Sequence, residues 1–199
     1  MRKLVLVLAT AIAVAAAPAF AATVGQPAPE FSAPDLSGKP VKLSDFRGKF
    51  VVLEWTNPEC PYVRRHYNSG NMPALQKEFG AKDVVWLTVN STSQSSDEFK
   101  TPQQMAKWLS EKGAAPKATL IDKDSKVGRL YSARTTPHMY VVDPQGRLIY
   151  AGAIDDKSWA STEETKKARN YVRAALGEAM AGKPVSVAAT SPYGCTVKY

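Results

Sequence analysis

The segment Phe50 to Trp55 constrains this chain more than any other. It is a compact apolar run of strand-favouring residues, closed on one side by Arg47-Gly48-Lys49 and on the other by Thr56-Asn57-Pro58. A run of that length between turn signals reads as a strand buried in the middle of a sheet. Cys60-Pro61 then opens a stretch, about Pro61 to Phe79, that reads as helix. Proline is pre-organised for the first helical position, where its missing N–H is no loss. Cys60 therefore falls at the N-cap, at the junction of a buried strand and a helix.

Around this junction the chain alternates. Val84 to Val89 reads as a strand, about Pro102 to Lys112 as a helix, Thr119 to Ile121 as a short strand and Ser125 to Tyr131 as a helical turn or two. Met139 to Val142 and Leu148 to Ala151 flank Asp143-Pro144-Gln145-Gly146 and predict a hairpin. The spacing of Ala168, Tyr171, Val172, Ala175, Leu176 and Ala179 predicts a final helix over Thr162 to Met180, closed by Gly182 and Pro184. The proline-rich opening, Thr23 to Lys49, excludes a long helix and fits short extended pieces about a turn at Ser37-Gly38-Lys39. Residues 185–199 show no clear element. The polar stretch Ser91 to Ser96 follows a strand end and reads as a solvated connector. Strands alternating with helices, then a hairpin and a last helix, specify an α/β sandwich with a mixed β-sheet flanked by helices, an N-terminal extension and a C-terminal tail.

With 199 residues, 44% of them hydrophobic, the chain can bury a full core, so its two cysteines are not required simply to make folding possible. Arg2 and Lys3 precede an apolar run from Leu4 to Ala17 and then Pro18-Ala19-Phe20-Ala21, the pattern of a secretory signal peptide cleaved after Ala21. The run is shorter than the ~20 apolar residues a spanning helix needs. The expected organisation is a signal peptide at 1–21, one domain at 22–184 and a tail at 185–199. In a bacterium the product is expected in the periplasm, with no stable membrane insertion after cleavage. The net charge of +8 is spread through clusters of mixed sign, such as Asp122, Lys123, Asp124 and Lys126. No basic stripe interleaved with aromatics is present, which argues against nucleic acid as a partner.

The chemistry concentrates on Cys60. At a helix N-cap the unpaired backbone N–H groups and the positive end of the helix dipole favour a thiolate, the form of cysteine that attacks disulfides and peroxides. Arg64 and Arg65, one turn on, are placed to add to this effect, and Glu59 to oppose it. The second cysteine, Cys195, lies in Pro192-Tyr193-Gly194-Cys195-Thr196 near the end of the chain. Two cysteines in an exported chain make a permanent disulfide that staples the tail to the body, a redox pair that cycles, or two free thiols, and the sequence leaves these open. A tail free to move would suit a resolving thiol.

These residues resemble the thioredoxin-like superfamily and, within it, the redoxin branch of alkyl hydroperoxide reductase/thiol-specific antioxidant and peroxiredoxin-like proteins. The likeness runs from about Val24 to Leu176. It rests on Gly25-Gln26-Pro27-Ala28-Pro29-Glu30-Phe31, on Leu43-Ser44-Asp45-Phe46-Arg47-Gly48-Lys49, on Trp55 with Cys60-Pro61, and on Thr136-Pro137 before a strand ending at Asp143. The resemblance implies a thioredoxin fold with Pro137 in a cis peptide bond facing Cys60, and a substrate groove shaped by Thr136 and Pro137. Two departures qualify it. The position three after Cys60, a second cysteine in thioredoxin-type reductases, is Val63, so Cys195 or an external thiol would have to resolve a mixed disulfide. The positions that peroxiredoxins fill with proline, a hydroxyl residue and arginine hold Leu53, Asn57 and Pro137 here. A proline cannot supply the charge stabilisation that peroxide cleavage needs, and Arg134 is only close in sequence.

The reading is therefore an exported thiol-disulfide oxidoreductase with Cys60 as nucleophile and Cys195 as candidate resolving thiol. Trp55, Pro61, Thr136 and Pro137 form the substrate groove, with Trp55 placed either to shield the thiolate or simply to pack. The partners are protein or small-molecule thiols and disulfides, with peroxides as the substrate of a peroxidase alternative. No organic cofactor is implied, because the electrons reside in the sulfurs. The non-enzymatic alternative is a redox-inert adaptor or a Cu(I) carrier, for which Cys60, His138 and Met139 would supply soft ligands. No metal site is assigned on this pattern, and His66 and His138 read otherwise as packed or surface residues.

Overall fold

The computed structural model describes residues 21–159 and 161–199; apart from Ala21, the expected signal peptide lies outside them. In chain order the elements are β1 (Ser32–Pro34), β2 (Pro40–Lys42), a 3-10 turn (Leu43–Phe46), β3 (Val51–Trp55), α1 (Pro61–Asn68), α2 (Asn71–Gly80), β4 (Val85–Asn90), α3 (Pro102–Glu111), β5 (Ala118–Ile121), α4 (Lys126–Leu130), β6 (Thr135–Thr136), β7 (His138–Val142), β8 (Leu148–Gly152), α5 (Thr162–Lys167), α6 (Tyr171–Met180) and β9 (Cys195–Thr196). Five strands form the central sheet in the order β5-β4-β3-β7-β8. The β3–β4 and β4–β5 pairs are parallel, whereas β7 runs antiparallel to both β3 and β8. This is the mixed sheet flanked by helices of the thioredoxin fold.

The all-buried pattern of β3 follows from its central place, with both faces covered. Alternate residues feed two cores. Leu53 and Trp55 join Phe31, Tyr131, Tyr140 and Leu148 on one face. Val52 joins Cys60, Val63, Met72, Trp86, Met139, Tyr150 and Leu176 on the other. The catalytic candidate thus sits at the rim of the second core, where β3 ends.

Three expectations are corrected. The helix from Pro61 to Phe79 is two helices, because Gly70 adopts a left-handed conformation (φ 76°) that interrupts the first and caps the second. The helix from Thr162 to Met180 is also divided. Between α5 and α6 the backbone turns extended at Ala168 and pairs with residues 154–156, through Asp156 N–H to Arg169 O and Tyr171 N–H to Ile154 O. Asn170 then restarts the helix by accepting from the Arg173 N–H. Finally, the tail is neither elementless nor free. β9 pairs antiparallel with β6, with Thr136 opposite Cys195 and Thr135 opposite Thr196.

Candidate active site

Cys60 is the N-cap of α1, with Pro61 at the first helical position and extended backbone (φ −71°, ψ 121°). Its own side chain makes no capping bond, and the next N–H groups of the turn have no acceptor within the helix. The Thr136-Pro137 peptide bond is cis, and the Thr136 carbonyl oxygen lies 3.0 Å from Cys60 Sγ. Cys60 is bonded to Cys195 across 135 residues, with the two Cα atoms 5.8 Å apart. In that state Sγ has no proton, so the approach of the carbonyl is a contact. In the reduced state the same oxygen is placed to accept from the thiol.

The two cysteines are not equivalent. Cys60 is 1% exposed, whereas Cys195 is partly exposed and followed by exposed Thr196. Directional contacts hold the tail over Cys60. Gly194 (φ +135°) lies flat on the cis peptide: a Cβ there would stand 2.1 Å from the Thr136 carbonyl oxygen, so only glycine fits. Tyr193 donates to Asp155 Oδ1 at 2.5 Å and accepts from Arg65 and from His66 Nε2, both at 3.0 Å. Asn71 Nδ2 donates to His66 Nδ1, which leaves the imidazole proton on Nε2. Burial, and after it the Arg65 charge, lower the His66 pKa to about 3, so the ring is a neutral donor. Further along, the Val197 N–H bonds Arg134 O, the Ser93 N–H bonds Lys198 O, and the Tyr199 hydroxyl donates to Ala133 O. The polar stretch after β4 is therefore a docking edge for the tail.

The other candidate residues divide. Thr136 and Pro137 are buried beside the disulfide, and Pro61 is exposed at the helix start. Trp55 does not line an accessible groove. It is fully buried between Tyr131 and Tyr140 on the opposite face of the sheet from Cys60, with its indole N–H on Ser91 Oγ. Arg64 bonds Glu59 and the Pro58 carbonyl, Lys100 takes the other oxygen of Glu59, and Arg65 is committed to Tyr193 and the 157–158 backbone. The side chains expected to tune Cys60 thus largely satisfy one another, and the helix terminus carries the effect.

The soft-ligand set also fails to converge. His138 and Met139 are consecutive strand residues and point to opposite faces. His138 Nδ1 is engaged by the Tyr140 hydroxyl and the Arg134 N–H. Among the described residues no group of three or more His, Cys, Asp and Glu is arranged to hold a metal.

One buried acid escaped the sequence reading, which took Phe50 to Trp55 as an apolar run. Glu54, fully buried on β3, accepts from Trp86 Nε1 at 2.8 Å, from the Tyr67 hydroxyl at 2.8 Å and from Gln76 Nε2 at 3.1 Å. Burial raises its pKa to about 7 against these hydrogen bonds. The available signal was a carboxylate inside a strand with no neighbouring base.

A cysteine at the helix start after the central strand, set against a cis-proline on the adjacent segment, defines a thioredoxin-fold thiol oxidoreductase. The chain belongs to the AhpC/TSA family, whose model matches residues 24–151. It is 30% identical over 135 residues to the thioredoxin-like protein YneN of Bacillus subtilis (strain 168), covering 67% of this chain and 74% of YneN. It is 29% identical over 133 residues to the thiol-disulfide oxidoreductase ResA of Bacillus cereus (strain ATCC 10987 / NRS 248), covering 63% of this chain and 67% of ResA. Among solved structures, a hypothetical protein from Sinorhizobium meliloti 1021 superposes with a TM-score of 0.76 at 22% identity, over 90% of this chain and 96% of that one. That last likeness speaks to the fold alone.

Proposed function

We propose that the chain is an exported thiol-disulfide oxidoreductase whose redox pair is Cys60 and Cys195. The observation that carries this reading is the Cys60–Cys195 disulfide at the N-terminus of α1, beside the cis Thr136-Pro137 bond. In the reduced pair the Cys60 thiolate attacks a substrate disulfide, forming a mixed disulfide and releasing one substrate thiolate. Cys195 then attacks Cys60 Sγ, frees the second substrate thiolate and regenerates the internal disulfide. Two electrons pass from the pair to the substrate. Because Cys60 is 1% exposed beneath the tail, its attack requires β9 to lift from β6 after reduction.

Disulfides rather than peroxides are the proposed substrates. At the positions that the peroxidase pattern fills with proline, a hydroxyl residue and arginine, Leu53 is in the core, Asn57 is bonded to Glu98, and Pro137 is the cis-proline; Arg134 is exposed. Export rests on the N-terminal pattern through Ala21. Among the described residues no helix is long and apolar enough to cross a membrane.

The test is Cys60→Ser in an assay of thiol-driven reduction of a protein disulfide. Turnover is expected to fall to the uncatalysed rate, and unchanged turnover removes Cys60 from the mechanism. Cys195→Ser should instead accumulate mixed disulfide on Cys60. Recovery of the secreted protein with Ala22 as its first residue tests export.

A further inference from the structure

We propose that when the oxidised pair is re-reduced, the incoming thiol attacks Cys195, and Cys60 is the leaving sulfur. This rests on the cycling-pair reading above and adds the direction in which the internal bond opens.

Thiol–disulfide exchange is a displacement in which attacking, central and leaving sulfurs lie close to one line, so the accessible side of each sulfur decides the outcome. Attack on Cys60 would have to come from the side opposite Cys195. Cys60 as a whole is only 1% exposed, packed in the core with Val63 and Met139, and the Thr136 carbonyl oxygen stands 3.0 Å from Sγ. Attack on Cys195, from the side opposite Cys60, is at a residue that solvent reaches. Cys195 is partly exposed, exposed Thr196 follows it, and among the described residues β9 pairs with β6 alone.

The leaving side points the same way. A released Cys60 is provided for in either protonation state: it sits at the positive N-terminal end of α1, which favours a thiolate, and the Thr136 carbonyl accepts from a thiol. A better stabilised thiolate leaves faster. Cys195 lies on a two-residue strand, whereas Cys60 is the N-cap of a helix.

The step balances. A donor thiolate forms a bond to Cys195 Sγ, the Cys60–Cys195 bond breaks, and the electron pair moves to Cys60 Sγ. A second donor thiolate attacks the donor sulfur of the mixed disulfide and releases the Cys195 thiolate. Two donor thiols become one donor disulfide, and the protein gains two electrons and two protons. The cysteine that resolves substrate is thus the one that receives the donor.

The experiment treats the full oxidised chain with excess glutathione, quenches with acid, alkylates under acid denaturing conditions and maps the peptides. Glutathione on Cys195 with alkyl on Cys60 is the expected result. Glutathione on Cys60 in equal or greater amount overturns the proposal. A disulfide that resists glutathione altogether overturns the cycling-pair reading itself. A second measurement does not need the adduct to persist: with iodoacetamide present during the reaction, the released cysteine is alkylated before it can re-attack, which locks glutathione on the sulfur that was attacked. Alkyl on Cys60 with glutathione on Cys195 is expected, and the reverse pattern overturns the proposal.

Discussion

The sheet body and the tail are held by different forces. The body buries large side chains on both faces of β3, with Trp55, Trp86, Tyr140, Tyr150 and Leu53 all essentially inaccessible. That attraction is non-directional and summed over much area. Between 185 and 199 only Val197 is buried. The tail is held instead by a disulfide, a glycine flat on a peptide bond, tyrosine hydroxyls and a few backbone hydrogen bonds. Directional contacts of this kind fail together when one is broken and re-form when it returns, which suits the proposed opening and closing of the tail without disturbing the body.

The largest effect should come from cutting the covalent link. Closing a loop of this length restricts the unfolded chain by about 5 kcal/mol on the chain-entropy account. Chemical denaturation of oxidised protein against Cys195→Ala should show a loss approaching that figure, while far-UV circular dichroism of the body stays unchanged. A loss under about 1 kcal/mol would mean that the tail and body are less separate than the contrast implies.

Next comes a body residue. The Glu54 pKa is about 7 in the folded state and near 4.5 in the unfolded chain. The native state therefore holds the proton more tightly, and this contribution is fully present below about pH 4.5 and lost as pH rises through about 7. The loss is about 3 kcal/mol. His66 and His138, each lowered to about 3 chiefly by burial, act oppositely and cost stability as pH falls below about 6.5. Comparing Glu54→Gln with the parent at each pH cancels the histidines. The difference should grow in favour of the variant from pH 5 to pH 8, and a flat difference would show that Glu54 ionises normally.

Gly194→Ala should cost the docked tail about 1–3 kcal/mol, from a left-handed backbone forced onto a residue with Cβ and from the clash at Thr136. Redox titration with glutathione should show the internal disulfide weakened by roughly tenfold or more, with the melting temperature of the reduced protein unchanged. Tyr193→Phe removes the hydroxyl that joins Asp155, Arg65 and His66, and should weaken the same disulfide by about 1–2 kcal/mol. Lys49→Ala breaks an exposed pair with Asp83 and should change stability by less than about 0.5 kcal/mol. An effect of Lys49→Ala as large as that of Tyr193→Phe would erase the distinction between surface and anchor.

Much of the body was legible because its signals are local. Residues 51–55 carry the length and side chains of a buried strand, Pro61 marks the first turn of α1, and Asp143 to Gly146 announce the β7–β8 hairpin. The helix divisions were harder. Gly70 was a visible breaker, but the interruption at 168–170 arises from pairing with residues 154–156, which no local pattern announces. Trp55 is ambiguous in the sequence, open to shielding or to packing, for a related reason. Its position shortly before Cys60 is a fact of sequence, while the face of the sheet to which it points is set by strand alternation.

The order of residues along the chain determined that a cysteine would cap a helix after a buried strand and that a Thr-Pro would precede a later one, because turn, cap and strand preferences act over a few neighbours. Only the tertiary structure decided that Cys195 would cross 135 positions to reach Cys60, that Tyr193 and Gly194 would anchor it, and that Glu54 would lose its solvent. Those outcomes depend on which distant surfaces meet, and a few-residue window holds no record of them.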